Sequence, residues 1–369
     1  MVTSEELKFR IALSMIPGIG CVHARSLIAY FGNIPDIFKA SEKVLMKVPG
    51  IGSITARNIV ANNSLRRAEQ EILFNDKNGI KTLFFLDSDY PSRLKRCSDA
   101  PVVLYTRGNI RFNEKKVVAV VGTRNATDYG RTFCDELVSE MAAKGGYCVV
   151  SGLAYGIDVA AHKACLKHGV QTIAVLGHGL DRIYPALHRP VAERMQTNGG
   201  IVTDFVSGVN IERQNFLQRN RIIAGLSDAV IIAESAEKGG ALVTADIAAS
   251  YNCDVFALPG RSTDLYSKGC NKLIKQNKAG LIENLTDLEF FMSWTNEISP
   301  SGPVQKQLFI ELSPEEQALR DVLKTETLYI DQICEELAMP VGKVSAILLN
   351  LEFKGIITSL PGKMYRINF

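Results

Sequence analysis

Between Val117 and Gly260 the chain states one theme six times: a short apolar run, then a longer amphipathic stretch. The runs are Val117–Gly122 (VVAVVG), Cys148–Gly152 (CVVSG), Thr172–Gly177 (TIAVLG), Gly200–Phe205 (GIVTDF), Ala229–Ser235 (AVIIAES) and Asp254–Gly260 (DVFALPG). Stretches such as TFCDELVSEMAAKG and GIDVAAHKACLKHG separate them. Continuous β-branched runs suit strands buried on both faces, and alternation with helices makes those strands parallel. The expected fold class is therefore α/β, a doubly wound Rossmann-like, mostly parallel sheet. KTLFFLD and PVVLYTRGN read as two further strands before it. In such sheets ligands sit outside the carboxyl ends of the strands, where the connections reverse.

The flanks read differently. IPGIGCVHARSLIAYFG and VPGIGSITARNIVANN form a near-repeat with prolines 32 residues apart. Each copy reads as a helix, a PGIG turn and a second helix with apolar residues at i, i+3 and i+4. This pattern fits a helix-hairpin-helix pair, which grips a DNA backbone through turn amides, or a small helical packing domain whose turns need glycine. After Trp294, TNEISPSGPVQKQ reads as a linker. SPEEQ then opens a helix: Ser313 caps, Pro314 takes the first helical position, and acids fill the first turn. Helices near 314–324, 330–337 and 341–354 and a Pro-Gly hairpin in IITSLPGKMYRIN describe a winged helix. Its third helix, GKVSAILLNLEFKG, is mostly apolar, which favours a protein contact over base reading. The expected domains are 1–70 (helical), 71–292 (Rossmann-like), 293–312 (linker) and 313–369 (winged-helix-like).

A charged fraction of 22% and a net charge of +3 exclude a generally basic nucleic-acid-coating surface. Residues 1–70 carry nine Lys/Arg against five Asp/Glu, and residues 313–369 carry six against eight. Any polyanion site in the middle must be a local cluster. No apolar run reaches the ~18–20 residues that span a bilayer, and the start of the chain does not read as a secretory signal. Eight scattered cysteines without zinc spacing suit reduced thiols, so a cytoplasmic protein without metal or cofactor is expected.

The loops after the strands concentrate glycines and cations. They hold Gly122-Thr123-Arg124, Ser151-Gly152 with Tyr155, the cluster Phe216-Leu217-Gln218-Arg219-Asn220-Arg221, and Lys238-Gly239-Gly240 with Thr244. Glycines let backbone N–H groups approach oxygens, helix N-termini favour anions, and Arg124, Arg219, Arg221 and Lys238 supply countercharge. A phosphate-bearing ligand follows. Arg124 stands where a dinucleotide motif needs its second glycine, and no G-x-x-x-x-G-K-[ST] is present. His162 reads as a helix-packing residue. Asp158 and Glu234 are candidate bases, or partners that hold Arg219 or Arg221, and Arg221 itself can be a salt bridge. Phe216, Tyr155 and Tyr184, interleaved with cations, suit stacked bases of a single strand; Phe216 can equally be helix core.

VVGTRNATDYG, SGLAYGIDVAAH, GHGLDRIYP, FLQRNRIIAGLSDAVIIAES, GGALVTADIA and PGRSTDLYSKGCNKLI, in this order, resemble the bacterial DNA processing protein A (DprA, or Smf) family. The likeness covers roughly residues 80–290, and the flanks fit that family's three-part layout. It implies a non-catalytic single-stranded DNA binder that acts as a homodimer. Such a protein protects incoming DNA in natural transformation, relieves the block set by single-strand binding protein, and loads the RecA recombinase. The implied phosphate pocket uses Gly122, Thr123, Arg124, Ser151, Gly152, Arg219, Asn220 and Arg221, and Gly239-Gly240 with Thr244 matches the family's small-residue loop. The chain departs from the family's usual residues at Thr123, Tyr155, Gly239–Ala241, His188 and Cys270. Tyr155 stands where a cation is common, a departure that either weakens DNA binding or exchanges charge for stacking. Two alternatives remain open: a nucleotide or nucleoside-phosphate hydrolase using Glu234 or Asp158, and a scaffold acting through its tail.

Overall fold

The computed structural model describes residues 4–61, 63–294, 312–324, 328–360 and 364–367. The chain divides into two compact units, Met1–Thr295 and Asn296–Phe369.

The first unit is built on one nine-stranded sheet. In chain order its strands are β1 (Lys81–Phe84), β2 (Val103–Asn109), β3 (Lys116–Val121), β4 (Tyr147–Ser151), β5 (Gln171–Val175), β6 (Gly199–Thr203), β7 (Ala229–Ile232), β8 (Asp254–Ala257) and β9 (Gly280–Leu281). The spatial order is β1-β2-β6-β5-β4-β3-β7-β8-β9. Pairings from β6 through β9 are parallel; β2 joins β6, and β1 joins β2, antiparallel. All six apolar runs became strands, because each faces packed helices on both sides. In β3, Val117, Ala119 and Val121 enter one core, and Val118 and Val120 enter the other. The chain winds outward from β3 to β6, returns, and winds the other way from β7 to β9. The reversal falls between β3 and β7, which pair with Val118 opposite Ala229.

Residues 4–61 and 63–78 contribute helices packed into the same unit, and both PGIG turns are present. The first joins Ser4–Ser14 to Cys21–Phe31, and the second joins Glu42–Leu45 to Ser53–Val60. Gly18 and Gly50 take φ of 83° and 84°, a conformation that strains side-chain-bearing residues. The two turns are cross-braced. Asn58 donates across to the Pro17 carbonyl at 3.1 Å, and within the first turn the His23 ring meets the Gly18 carbonyl at 2.7 Å. The following helix, Ser64–Asn78, clamps the central domain. Buried Glu71 accepts from the Ser207 backbone N–H and hydroxyl, and Arg67 donates to Glu71 and to the Ser207 carbonyl.

In the second unit, helices Pro314–Val322, Ile330–Leu337 and Val341–Phe353 pack with β10 (Leu328–Tyr329), β11 (Ile357–Leu360) and β12 (Met364–Ile367). The sheet order is β10-β12-β11. Ser313 and Glu316 complete the expected capping box. Leu319, Ile333, Val344, Leu348 and Leu351 fill the core. The apolar third helix is thus largely core-facing, with Leu349 and Phe353 left exposed. β10 is too short to show in the sequence pattern. Most of the expected 293–312 linker and the Pro361-Gly362 turn lie outside the described residues.

Candidate nucleic-acid interface

A cavity of about 410 Å³ opens at the β3/β7 reversal. Four segments wall it: the loop after β3, the segment after β4 that holds Ala154 and Asp158, the loop after β7 with the helix it opens, and the helix Arg213–Leu226 that precedes β7.

The β3 loop is pinned from two sides. The Thr123 N–H donates to the Glu234 carbonyl at 2.7 Å, and the Thr123 carbonyl accepts from the Ile157 N–H at 3.1 Å. The Glu234 carboxylate accepts from the Thr127 N–H at 2.9 Å and from the Thr127 hydroxyl. Glu234 therefore shapes the loop, and it pairs with neither Arg219 nor Arg221. Arg124 emerges from this loop exposed. Across the cavity the helix Gly240–Ser250 begins at Gly239, where no side chain caps its first turn. Its leading N–H groups and the positive end of its dipole stand at the cavity wall. Lys238 precedes it, exposed, and Thr244 is buried one turn in.

The helix Arg213–Leu226 lays Arg213, Phe216, Leu217 and Asn220 along the cavity, spaced i, i+3, i+4 and i+7. Arg219 lies deeper. It is 4% exposed, its Nη1 donates to the Val175 carbonyl at 2.7 Å, and its Nε has no partner. Burial lowers its pKa, Asp158 opposes that shift, and Arg124 reinforces it. Asp158 also lines the cavity, accepting from the N–H groups of Gly152 and Ala154. Burial raises its pKa and Arg219 counters the rise. Among the described residues Arg124, Arg213, Arg219 and Lys238 form no ion pair. Four cations converge on one cavity whose only lining carboxylate, among the described residues, is Asp158. This arrangement attracts phosphate oxygens.

Ten of the expected residues share the cavity lining: Gly122, Thr123, Arg124, Phe216, Arg219, Asn220, Lys238, Gly239, Gly240 and Thr244. Four do not. Ser151 ends β4 fully buried, and its hydroxyl donates to the Val120 carbonyl at 2.6 Å, so it braces neighbouring strands. Gly152 sits behind Arg219; a Cβ there would fall 1.8 Å from Nη1. Arg221 points the other way and donates to Asp204 at 2.6 Å, so its salt-bridge partner is neither Asp158 nor Glu234. Tyr155 stands outside the cavity, its ring edge-on to His188 at 5.0 Å. Arg219, expected to supply countercharge, lines the cavity from a buried position and forms its floor. His162 is fully buried, its Nδ1 2.8 Å from the Thr172 hydroxyl, with its pKa lowered by burial to about 3. Arg213 escaped the sequence reading because a cation opening a helix beside glutamine and asparagine looks solvated. Its spacing of three from Phe216 was the available signal. Among the described residues no cluster of three or more His, Cys, Asp or Glu is arranged to hold a metal ion.

A family model described as DNA recombination-mediator protein A matches residues 81–292. A DprA winged helix domain matches 305–363, and a SAM-like helix-hairpin-helix tandem matches 9–62. Protein Smf of Synechocystis sp. is 32% identical, over 99% of this chain and 100% of that protein. The solved structure of DNA processing protein A from Streptococcus pneumoniae superposes with a TM-score of 0.65. It is 28% identical and covers 78% of this chain and 98% of that one. DNA processing protein A from Helicobacter pylori, whose single-stranded DNA binding mode has been described, superposes at 0.53. It is 30% identical and covers 58% of this chain and 96% of that one. With its central domain matched over more than half its length, flanked by a helix-hairpin-helix tandem and a winged helix, the chain belongs to the DprA/Smf family.

Proposed function

We propose that this protein binds single-stranded DNA without breaking a bond in it, seating phosphates in the cavity at the β3/β7 reversal. One observation carries the reading: Arg124, Arg213, Arg219 and Lys238 converge, free of ion pairs among the described residues, beside an uncapped helix N-terminus. The exposed phosphates of a flexible single strand reach such a recess; those of a rigid duplex meet it poorly. Phe216 and Leu217 on the same wall offer apolar surface to a base. Family membership supports the wider role: protecting incoming DNA in natural transformation and recombination, loading the RecA recombinase in place of single-strand binding protein, and acting as a cytoplasmic homodimer. Among the described residues no helix is long and apolar enough to cross a membrane. The division into 1–70, 71–292, 293–312 and 313–369 is part of the same proposal.

Binding of (dT)12 and of a matched duplex, followed by fluorescence anisotropy across a salt series, tests this. Four neutralised phosphates give a log–log slope of about −3 on a single strand. Arg124→Ala should weaken (dT)12 binding by about tenfold to a hundredfold and reduce the slope by about 0.7. Equal affinity for duplex, or a flat slope, rejects the reading. Against the hydrolase alternative, Glu234 and Asp158 both accept from backbone N–H groups, which supports a loop-shaping role for each. Nucleotide turnover that disappears in Glu234→Gln would restore it.

A further inference from the structure

We propose that the bound strand leaves the cavity along an aromatic ledge formed by the loops after β4 and β5, with unpaired bases stacking on Tyr184 and Tyr155. The proposal rests on the cavity being a phosphate site and names what lies beside it.

A ring contact ties Tyr184 to the cavity, and a second ring contact ties Tyr155 to the same loop after β5. Phe216 lines the cavity, and Tyr184 lies against it with ring centroids 5.9 Å apart. Four residues after Tyr184, the ring of buried His188 meets Tyr155 edge-on at 5.0 Å and 70°. His188 Nδ1 donates to the Leu153 carbonyl at 2.8 Å, tying the β5 loop to the β4 loop. Tyr184 is fixed as well, its N–H donating to Nε2 of buried His178 at 3.2 Å. The rings are thus held by packed neighbours yet open to solvent: Tyr184 is 45% exposed and Tyr155 46%. Leu187, between them in sequence, is 76% exposed. Among the described residues neither tyrosine hydroxyl makes a hydrogen bond. Exposed Arg189, which follows, forms no ion pair there and is free to meet a further phosphate.

Rigid, half-open rings beside a cation pocket fit bases whose faces are free. A duplex hides those faces, so the ledge adds to the preference for single strands that the recess already sets. It also sets a direction, from the β3/β7 reversal toward β5 and away from β8.

The test separates bases from phosphates. The full chain is titrated with (dT)12 and with an abasic 12-mer that keeps every phosphate. The Tyr155→Ala/Tyr184→Ala variant should lose about tenfold in (dT)12 affinity for each ring. Its abasic affinity and its salt slope should not change, and Tyr155→Phe/Tyr184→Phe should bind as the parent does. Equal losses on both probes, or no loss on (dT)12, overturn the ledge. An unchanged (dT)12 affinity together with altered sedimentation of the free protein would assign this surface to a second copy of the chain instead. The cavity reading fails separately: Arg124→Ala should weaken both probes, and if it weakens neither, the phosphate site itself is wrong.

Discussion

Arg219 and Arg221 stand two positions apart on one helix, a rotation of about 200°, so they serve opposite sides of it. Arg219 forms the cavity floor; Arg221 holds Asp204 in a half-buried pair at 23% and 14% side-chain exposure. The Asp204 Oδ1 already lacks a partner, so removing the guanidinium leaves a carboxylate poorly satisfied. Arg221→Ala should cost about 2 kcal/mol in urea unfolding and leave the salt slope of (dT)12 binding unchanged. A shallower slope would mean that Arg221 reaches phosphate after all. His162 makes a second residue-level prediction. Its imidazole, ordinarily at 6.5, is held neutral in the core down to about 3. The unfolded chain therefore takes up that proton first, and stability falls as pH drops from about 6.5 toward 3, with no contribution above that window. Between pH 6 and 4 the parent should lose up to about 1.4 kcal/mol per pH unit more than His162→Gln. Parallel unfolding midpoints for the two proteins over that range would contradict this.

At the scale of elements, the helix Arg213–Leu226 decides where the site forms, and its approach loop is gripped from outside the sheet. Glu71 is buried at 2% side-chain exposure and holds Ser207, six residues before Arg213. Glu71→Ala strips that grip and leaves Arg67 beside an empty space. The expected cost is about 3 kcal/mol in stability, with faster amide exchange confined to residues 204–212 and their neighbours. Uniform exchange across the domain would show that the clamp does not act on this loop. The elements themselves were largely legible. Strands buried on both faces demand unbroken β-branched runs, and the PGIG turns demand glycine at Gly18 and Gly50. The order β1-β2-β6 was not legible, because an antiparallel edge leaves no mark on local periodicity. Nor were side-chain directions. Ser151 ends a strand just before a glycine, as a ligand residue would, yet one backbone carbonyl satisfies it. Whether Arg221 faced ligand or carboxylate depended on Asp204, 17 residues away in sequence and visible as a partner only once folded.

For the whole molecule, the question is which unit holds the DNA. The net charge of +3 is too small to gather a polyanion over the general surface, so the proposed DNA binding requires the cations at the cavity. All of them, and every residue of the ledge, belong to the unit Met1–Thr295. Residues 313–369 carry more acids than bases, and lysines 343 and 354 are already paired with Glu315 and Glu316. Their third helix spends Val344, Ile347, Leu348 and Leu351 on the core of its own unit. Such a module has little to offer phosphate and more to offer a protein surface, through exposed Leu349 and Phe353. A chain ending after residue 294 should therefore bind (dT)12 within about twofold of the full protein, with the same salt slope. If the recombinase contact lies in the tail, this shortened protein should bind DNA and fail to promote filament formation. A drop in (dT)12 affinity of tenfold or more, accompanied by a shallower slope, would instead place phosphate contacts in the second unit and require a DNA path longer than the cavity and its ledge.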